Sequence, residues 1–214
     1  MPPWKVEEHG SRLSDFIGSI TDDRAFDEAV ALIKLLGERG NLLRWPRSEA
    51  LGSGLFELRG KQVRIFYVFR PGRRVVLLDG IIKRTTSFPT SCCSVSDNSK
   101  PRSNKMAKRK KEFMAWLDGE IERRGREREV AALVDEMLVE EQLAELRRKR
   151  GISQARLAQL MGVQQPLIAR MESGRVKNLT LSTIARMAAT LGARVELRIV
   201  PSRMKRQKAT AQQA

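Results

Sequence analysis

Hydrophobic residues recur at two different periods along this chain, and the changes of period divide it. Leu13, Phe16, Ile17 and Ile20, then Phe26, Val30, Ile33 and Leu36, fall three or four residues apart, which predicts two helices read as an antiparallel pair. Asp22 is placed to cap the second and Gly40 to end it. The runs GLFELR, QVRIFYVFR and RVVLLDGIIKR follow, rich in β-branched and aromatic residues, the last two joined at Pro71 and Gly72. They predict an antiparallel sheet, and WKVEEH near the N-terminus is a further short strand. After position 105 the helical period returns in KRKKEFMAWLDGEIERRG and in EREVAALVDEMLVEEQLAELRRKRG, where Val130, Leu133, Val134, Met137 and Leu138 align. Three more helices and a closing strand, GARVELRIVP, complete the pattern, and the tail from Arg203 reads as disordered.

Charge sharpens this division. The first 84 residues carry 15 basic and 11 acidic side chains, so +4 of the net +16 belongs there and +12 lies beyond. Such an asymmetry points to a polyanionic partner, since each phosphate contact releases condensed counterions; a solvated basic surface is the plain alternative. Neither a membrane segment nor a secretion signal stands out, which implies a cytoplasmic protein. No cofactor and no metal is expected. Cys92 and Cys93 are adjacent, a poor geometry for a disulfide, and the single histidine, His9, is remote and reads as a surface residue.

The most specific signal lies between 153 and 174. Ser153 caps a helix with Leu157, Ala158 and Met161 inward, Gly162 permits a left-handed turn, Val163 plugs the corner, and a second helix places Ile168 and Met171 inside. The string SQARLAQLMGVQQPLIARMESG resembles the XRE family of lambda-repressor-like DNA-binding domains. That resemblance implies that the second helix enters the major groove by its N-terminal end. It makes Gln164, Gln165 and Leu167 base readers, with Pro166 shaping the first turn, and Gln154, Arg170, Lys177 and Asn178 phosphate contacts. A glutamine there suits adenine N6 and N7, and a leucine suits a thymine methyl. In antitoxin members of the family the closing strand supports dimerisation, so a homodimer on operator DNA is expected.

In the first half, Leu51, Gly54, Leu55, Glu57, Leu58 and Arg59, then Arg64, Phe66, Tyr67 and Arg70, then Leu77, Leu78, Gly80, Lys83 and Arg84 resemble the RelE/HigB superfamily of toxins, in its phage-derived Gp49-like branch. The resemblance implies a small domain of two helices and an antiparallel sheet that binds the ribosome and cuts messenger RNA without a metal. Arg59, Arg64, Tyr67, Arg70 and Lys83 become the catalytic candidates, and Phe66, Arg73, Arg74 and Arg84 the RNA contacts. Asp79 stands where the branch commonly has histidine, and a carboxylate beside a phosphate repels it. Catalysis and a merely solvated arginine face therefore remain two open readings.

Between the halves, TTSFPTSCCSVSDNSKPRSN fits neither pattern. A permitted back-translation, shifted by two nucleotides at Thr85, yields DKLPDELLQRIRQLK, an amphipathic helix of the kind such a toxin would end on. We therefore expect a frameshift junction over 87–105. The resulting expectation is an α+β chain: a RelE-like domain over 1–86, a helical connector over 106–136, an all-α helix-turn-helix domain with a terminal β-strand over 137–201, and a basic tail over 202–214. Glu112, Asp118, Glu120, Glu122, Asp135, Glu136, Glu140 and Glu141 on the connecting helices suit either covering the arginines or facing solvent. The function this implies is a toxin-antitoxin protein, an autorepressor fused to an mRNA interferase-like domain. The alternative is a transcriptional regulator with a non-catalytic N-terminal interaction domain.

Overall fold

The computed structural model describes residues 3–83, 112–174, 176 and 179–198. The expected junction with Cys92 and Cys93 lies outside the described residues, as do Arg84, Lys177, Asn178 and the tail. In chain order the elements are β1 (Lys5–Glu8), α1 (Arg12–Ser19), α2 (Asp23–Arg39), a 3-10 turn (Gly40–Leu42), β2 (Ser48–Gly52), β3 (Leu55–Arg59), β4 (Val63–Arg70) and β5 (Arg74–Ile82). Then come α3 (Glu112–Arg124), α4 (Glu127–Lys149), α5 (Gln154–Met161), α6 (Gln165–Glu172) and α7 (Leu181–Thr190).

The five strands form one sheet in the order β1-β5-β4-β3-β2. Strands β2 to β5 are antiparallel neighbours, while β1 lies parallel to β5, so the sheet is mixed rather than antiparallel throughout. Strand β2 went unpredicted because SEALG is polar and largely exposed along an edge, with no apolar alternation to mark it. Along β4, Val63, Ile65 and Tyr67 are buried on the face that meets the helices. Asp22 caps α2 through the amide of Ala25 at 3.2 Å, as its position predicts. Helix α1 packs on β5, where Gly80 leaves room for the Phe16 ring, instead of pairing along α2.

Helix α2 is buried nearly all round: Leu32 and Leu35 are as inaccessible as Phe26, Ile33 and Leu36. The sheet covers one side of it and α4 the other. Phe113, Leu117 and Ile121 of α3 and Val130, Val134 and Met137 of α4 all belong to this first core. Each side chain so buried contributes about 1.5–3 kcal/mol, enough to fix both helices against the N-terminal half. A second core joins Leu143 of α4 to Leu157, Ile168, Met171, Met187 and Leu191. The expected closing strand is absent: residues 193–198 have no strand partner among the described residues, and Leu197 is 71% exposed. An isolated strand has nothing to satisfy its backbone groups, so the apolar alternation there does not suffice.

The turn between β3 and β4 is held by a buried carboxylate. Glu28 of α2 accepts from the backbone N–H groups of Lys61, Gln62 and Val63, at 2.7 Å for Gln62 and 3.3 Å for Val63. Glu28→Ala leaves those amides without their acceptor and is expected to destabilise the first core by about 2–3 kcal/mol. Denaturant unfolding followed by far-UV circular dichroism checks this, and an unchanged midpoint would contradict it.

Candidate nucleic-acid interface

The helix-turn-helix assembles from local signals. The Ser153 hydroxyl accepts from the amide of Arg156 at 3.1 Å, and Gly162 ends α5 at φ +65°, a conformation that favours glycine. Gln164 precedes α6 in extended backbone, and Pro166 falls in its first turn, where no amide is lost. Gln164, Gln165, Pro166 and Arg170 are exposed, Leu167 is half-buried against the second core, and Ile168 and Met171 are inside.

A buried polar relay orients this surface. Glu172, 1% exposed, accepts from Arg147 Nε at 2.6 Å and Nη2 at 2.8 Å, and from Gln154 Nε2 at 2.9 Å. Arg147 also donates to the Ile152 carbonyl at 2.8 Å. Gln154 Oε1 in turn accepts from Gln165 Nε2 at 3.0 Å. The exposed amide of Gln165 is thus tied through Gln154 to a desolvated ion pair. Paired, fork-like bonds of this kind fix orientation as well as charge. In sequence, Gln154 reads as a phosphate contact and Gln165 as a base reader, while Arg147 and Glu172, 25 residues apart, carry no local signal of their pairing.

The N-terminal cations do not form one cluster. Arg59, Arg64 and Phe66 share a sheet face, because Arg59 opposes Arg64 and Glu57 opposes Phe66. Asp79 opposes Phe66 from the other side and Glu49 opposes Glu57, so this face is mixed in charge. Arg59 pairs with Glu49, and the buried Arg64 pairs with Glu57 and donates to the Gly60 carbonyl at 2.5 Å. Tyr67 lies on the opposite, core-facing side. Its hydroxyl is 2.6 Å from Ser48 Oγ, and burial pushes its pKa up to about 12 against the lowering effect of that bond. Arg70, Arg73 and Arg74 sit at the far end of the hairpin, roughly 20 Å from Arg64 at 3.3 Å per strand residue. There Arg73 lies 5.3 Å over the Trp4 ring and Arg74 bonds Glu7 at 2.9 Å. Lys83 is exposed beside the β3–β4 turn, its amide donating to the Gln62 carbonyl.

The two halves meet along α4. Arg47 pairs with Glu140, both nearly inaccessible, and Arg39 bonds Glu145 at 2.5 Å. Arg148 donates to the Trp45 carbonyl at 2.6 Å and to Glu141 at 2.8 Å. On α3, Asp118 meets Lys34 at 2.9 Å, and Arg126 just beyond it holds Asp27. Of the connecting acids, Asp118 and Glu140 meet Lys34 and Arg47, Glu145 beside them meets Arg39, and Glu120 and Glu141 pair with Arg123, Arg124 and Arg148 of the connecting helices themselves. At Gly174, φ +65°, an added Cβ would collide with Arg47 and Glu140, so the end of the helix-turn-helix is pressed onto this pair. Burial raises the Glu140 and Glu141 carboxyls to about 7, with Arg47 and Arg148 respectively opposing the shift.

Residues 19–98 match the family model of phage derived protein Gp49-like, and residues 141–198 match that of a helix-turn-helix domain. Over 59 residues, 28% of this chain, it is 48% identical to an uncharacterized HTH-type transcriptional regulator of Haemophilus influenzae. The match spans 57% of that relative's own length. The chain thus carries a Gp49-like segment followed by a helix-turn-helix segment. Among the described residues no helix is long and apolar enough to cross a membrane.

Arg147→Met strands the Glu172 carboxylate in the second core, and a loss of about 3–5 kcal/mol is expected in denaturant unfolding; a loss below 1 kcal/mol would contradict the relay. Glu141 keeps its proton to about pH 7 when folded but releases it near 4.5 when unfolded, so its contribution to stability declines as pH rises through that window. Glu141→Gln should gain in melting temperature over the parent chain between pH 5 and pH 8. A constant difference across that range would refute the assignment.

Proposed function

We propose that this chain is a toxin-antitoxin protein: a sequence-specific DNA-binding autorepressor joined to a RelE/HigB-like domain, with residues 137–201 acting as a HigA-like repressor. The observation that carries the reading is the exposed pair Gln164 and Gln165 at the start of α6, with Gln165 anchored through Gln154 to the buried Arg147–Glu172 pair. Such an arrangement presents preorganised amides to base edges in a major groove. Operator DNA is the partner, Arg170 with Lys177 and Asn178 supplying phosphate contacts. The segment after α7, with Val195 and Leu197 exposed, supplies strand pairing to a second copy in a homodimer.

For the N-terminal domain, the packing of α3 and α4 onto the first core, α4 against α2, supports an antitoxin-like embrace of the Gp49-like domain from its helical side. In this reading the domain descends from a ribosome-dependent mRNA interferase. A second reading, a regulator with a non-catalytic N-terminal interaction domain, is favoured by one set of observations. Arg59 and Arg64 are already paired with carboxylates, Tyr67 is buried on the other face, and Asp79 flanks Phe66.

Gln165→Ala is expected to weaken binding to the chain's preferred duplex by about 1–3 kcal/mol while leaving random-duplex binding and its salt dependence unchanged. Equal loss on both duplexes would overturn base reading by α6. Mapping of messenger RNA 5′ ends after induction of the intact chain and of Glu140→Ala, which breaks the junction with Arg47, separates the two N-terminal readings. New ends within translated codons in the variant support the interferase; unaltered ends in both support the non-catalytic domain.

A further inference from the structure

Between the two halves lies a cleft of about 150 Å³ lined by Trp45, Arg59, Lys61 and Arg64 on one side and by Arg170 and Ser173 on the other. Four of these side chains are cationic. Carboxylates compensate two of them, Glu49 on Arg59 and Glu57 on Arg64, and Lys61 and Arg170 have no ion-pair partner among the described residues. Lys61 also lies in the field of the buried Glu140 carboxylate, which offsets part of its charge. Cations still outnumber the carboxylates paired with them along this lining, and an anion seated in the cleft relieves the remaining repulsion.

The cleft is also built rather than incidental. Lys61 sits on the turn whose three amides Glu28 holds, and the Trp45 carbonyl is fixed by Arg148. The far wall is pressed into place at Gly174 against Arg47 and Glu140. The backbone of the β3–β4 turn does not have to be ordered when a ligand arrives, which lowers the entropy lost on binding.

Position along α6 selects the ligand. Arg170 follows Gln165 by five residues, about 7 Å of helix rise and about 140° around the axis, so the cleft opens on the flank of α6 rather than on its base-reading face. With the start of α6 in a major groove, a cationic cleft on the flank of that helix is within reach of a phosphate backbone bordering the groove. We propose that the cleft is a second phosphate-binding site, through which the β3–β4 turn of the N-terminal domain holds the DNA backbone next to the base-reading helix. This rests on the DNA-binding reading of α6 and extends it: the Gp49-like half becomes part of the DNA footprint.

Salt titrations of the full-length chain on its preferred duplex and on a random duplex test this, using fluorescence anisotropy. Lys61→Gln, at an exposed position, should lower the slope of log K against log salt by about 0.9 and weaken both duplexes to a similar degree. Arg170→Gln should do the same. An unchanged slope and affinity for Lys61→Gln overturns the proposal, as does weakened binding of single-stranded RNA with the duplex slope intact. Gln165→Ala in the same assay separates the two claims: it should lose discrimination between the duplexes and keep the full slope. If Gln165→Ala keeps its discrimination, base reading fails, whatever Lys61 does.

Discussion

One continuous helix, α4, has an end in each hydrophobic core, and the relation between the two halves of the molecule depends on it. Val130, Val134 and Met137 pack under α2, and Leu143 packs with the helix-turn-helix. Across 23 residues, about 35 Å of rise, the helix contains neither glycine nor proline that would let it bend. Its polar band then decides how the halves meet. Glu140 takes Arg47, Glu145 takes Arg39, and Arg147 turns the other way to take Glu172. Buried ion pairs of this kind add little net stability, but they penalise every arrangement in which a partner is left alone. They act as registration marks for a junction whose adhesion comes from apolar burial.

Registration has a chemical consequence on each side. In the helix-turn-helix half it holds the exposed Gln165 amide through a chain of fixed bonds. In the Gp49-like half, internal carboxylates occupy the arginines of the sheet face and the tyrosine points into the core. Charge that sequence suggested for RNA is largely spent within the domain. Lys61 and Arg170, which form no ion pair among the described residues, line the cleft where the two halves face each other.

Much of this was legible in the sequence, and the reasons differ by element. Caps and turns are encoded within four residues, so Asp22, Ser153, Gly162 and the Pro71–Gly72 turn stood out. The helix-turn-helix was readable because its core positions and its glycine fall in one unbroken string. The mixed sheet was not, since β1 reaches β5 across most of the domain and β2 has no apolar alternation. Helix α2 was legible on one face, Phe26, Val30, Ile33 and Leu36; the burial of Leu32 and Leu35 as well was not, because the helix that packs on α2 begins only at Glu127. Arg47–Glu140 and Arg147–Glu172 were invisible for the same reason: each partner alone reads as an ordinary charged residue. The expected closing strand failed in the opposite sense, having the right alternation and no partner within the described residues.

The account stands on sequence-selective recognition of duplex DNA by the start of α6. Selection of the intact chain on a pool of random duplexes, sequenced over successive rounds, measures this most directly. The account predicts enrichment of one discrete motif, with adenines at the positions that face Gln164 and Gln165. A pool that stays random while binding remains strong and salt-sensitive would contradict it.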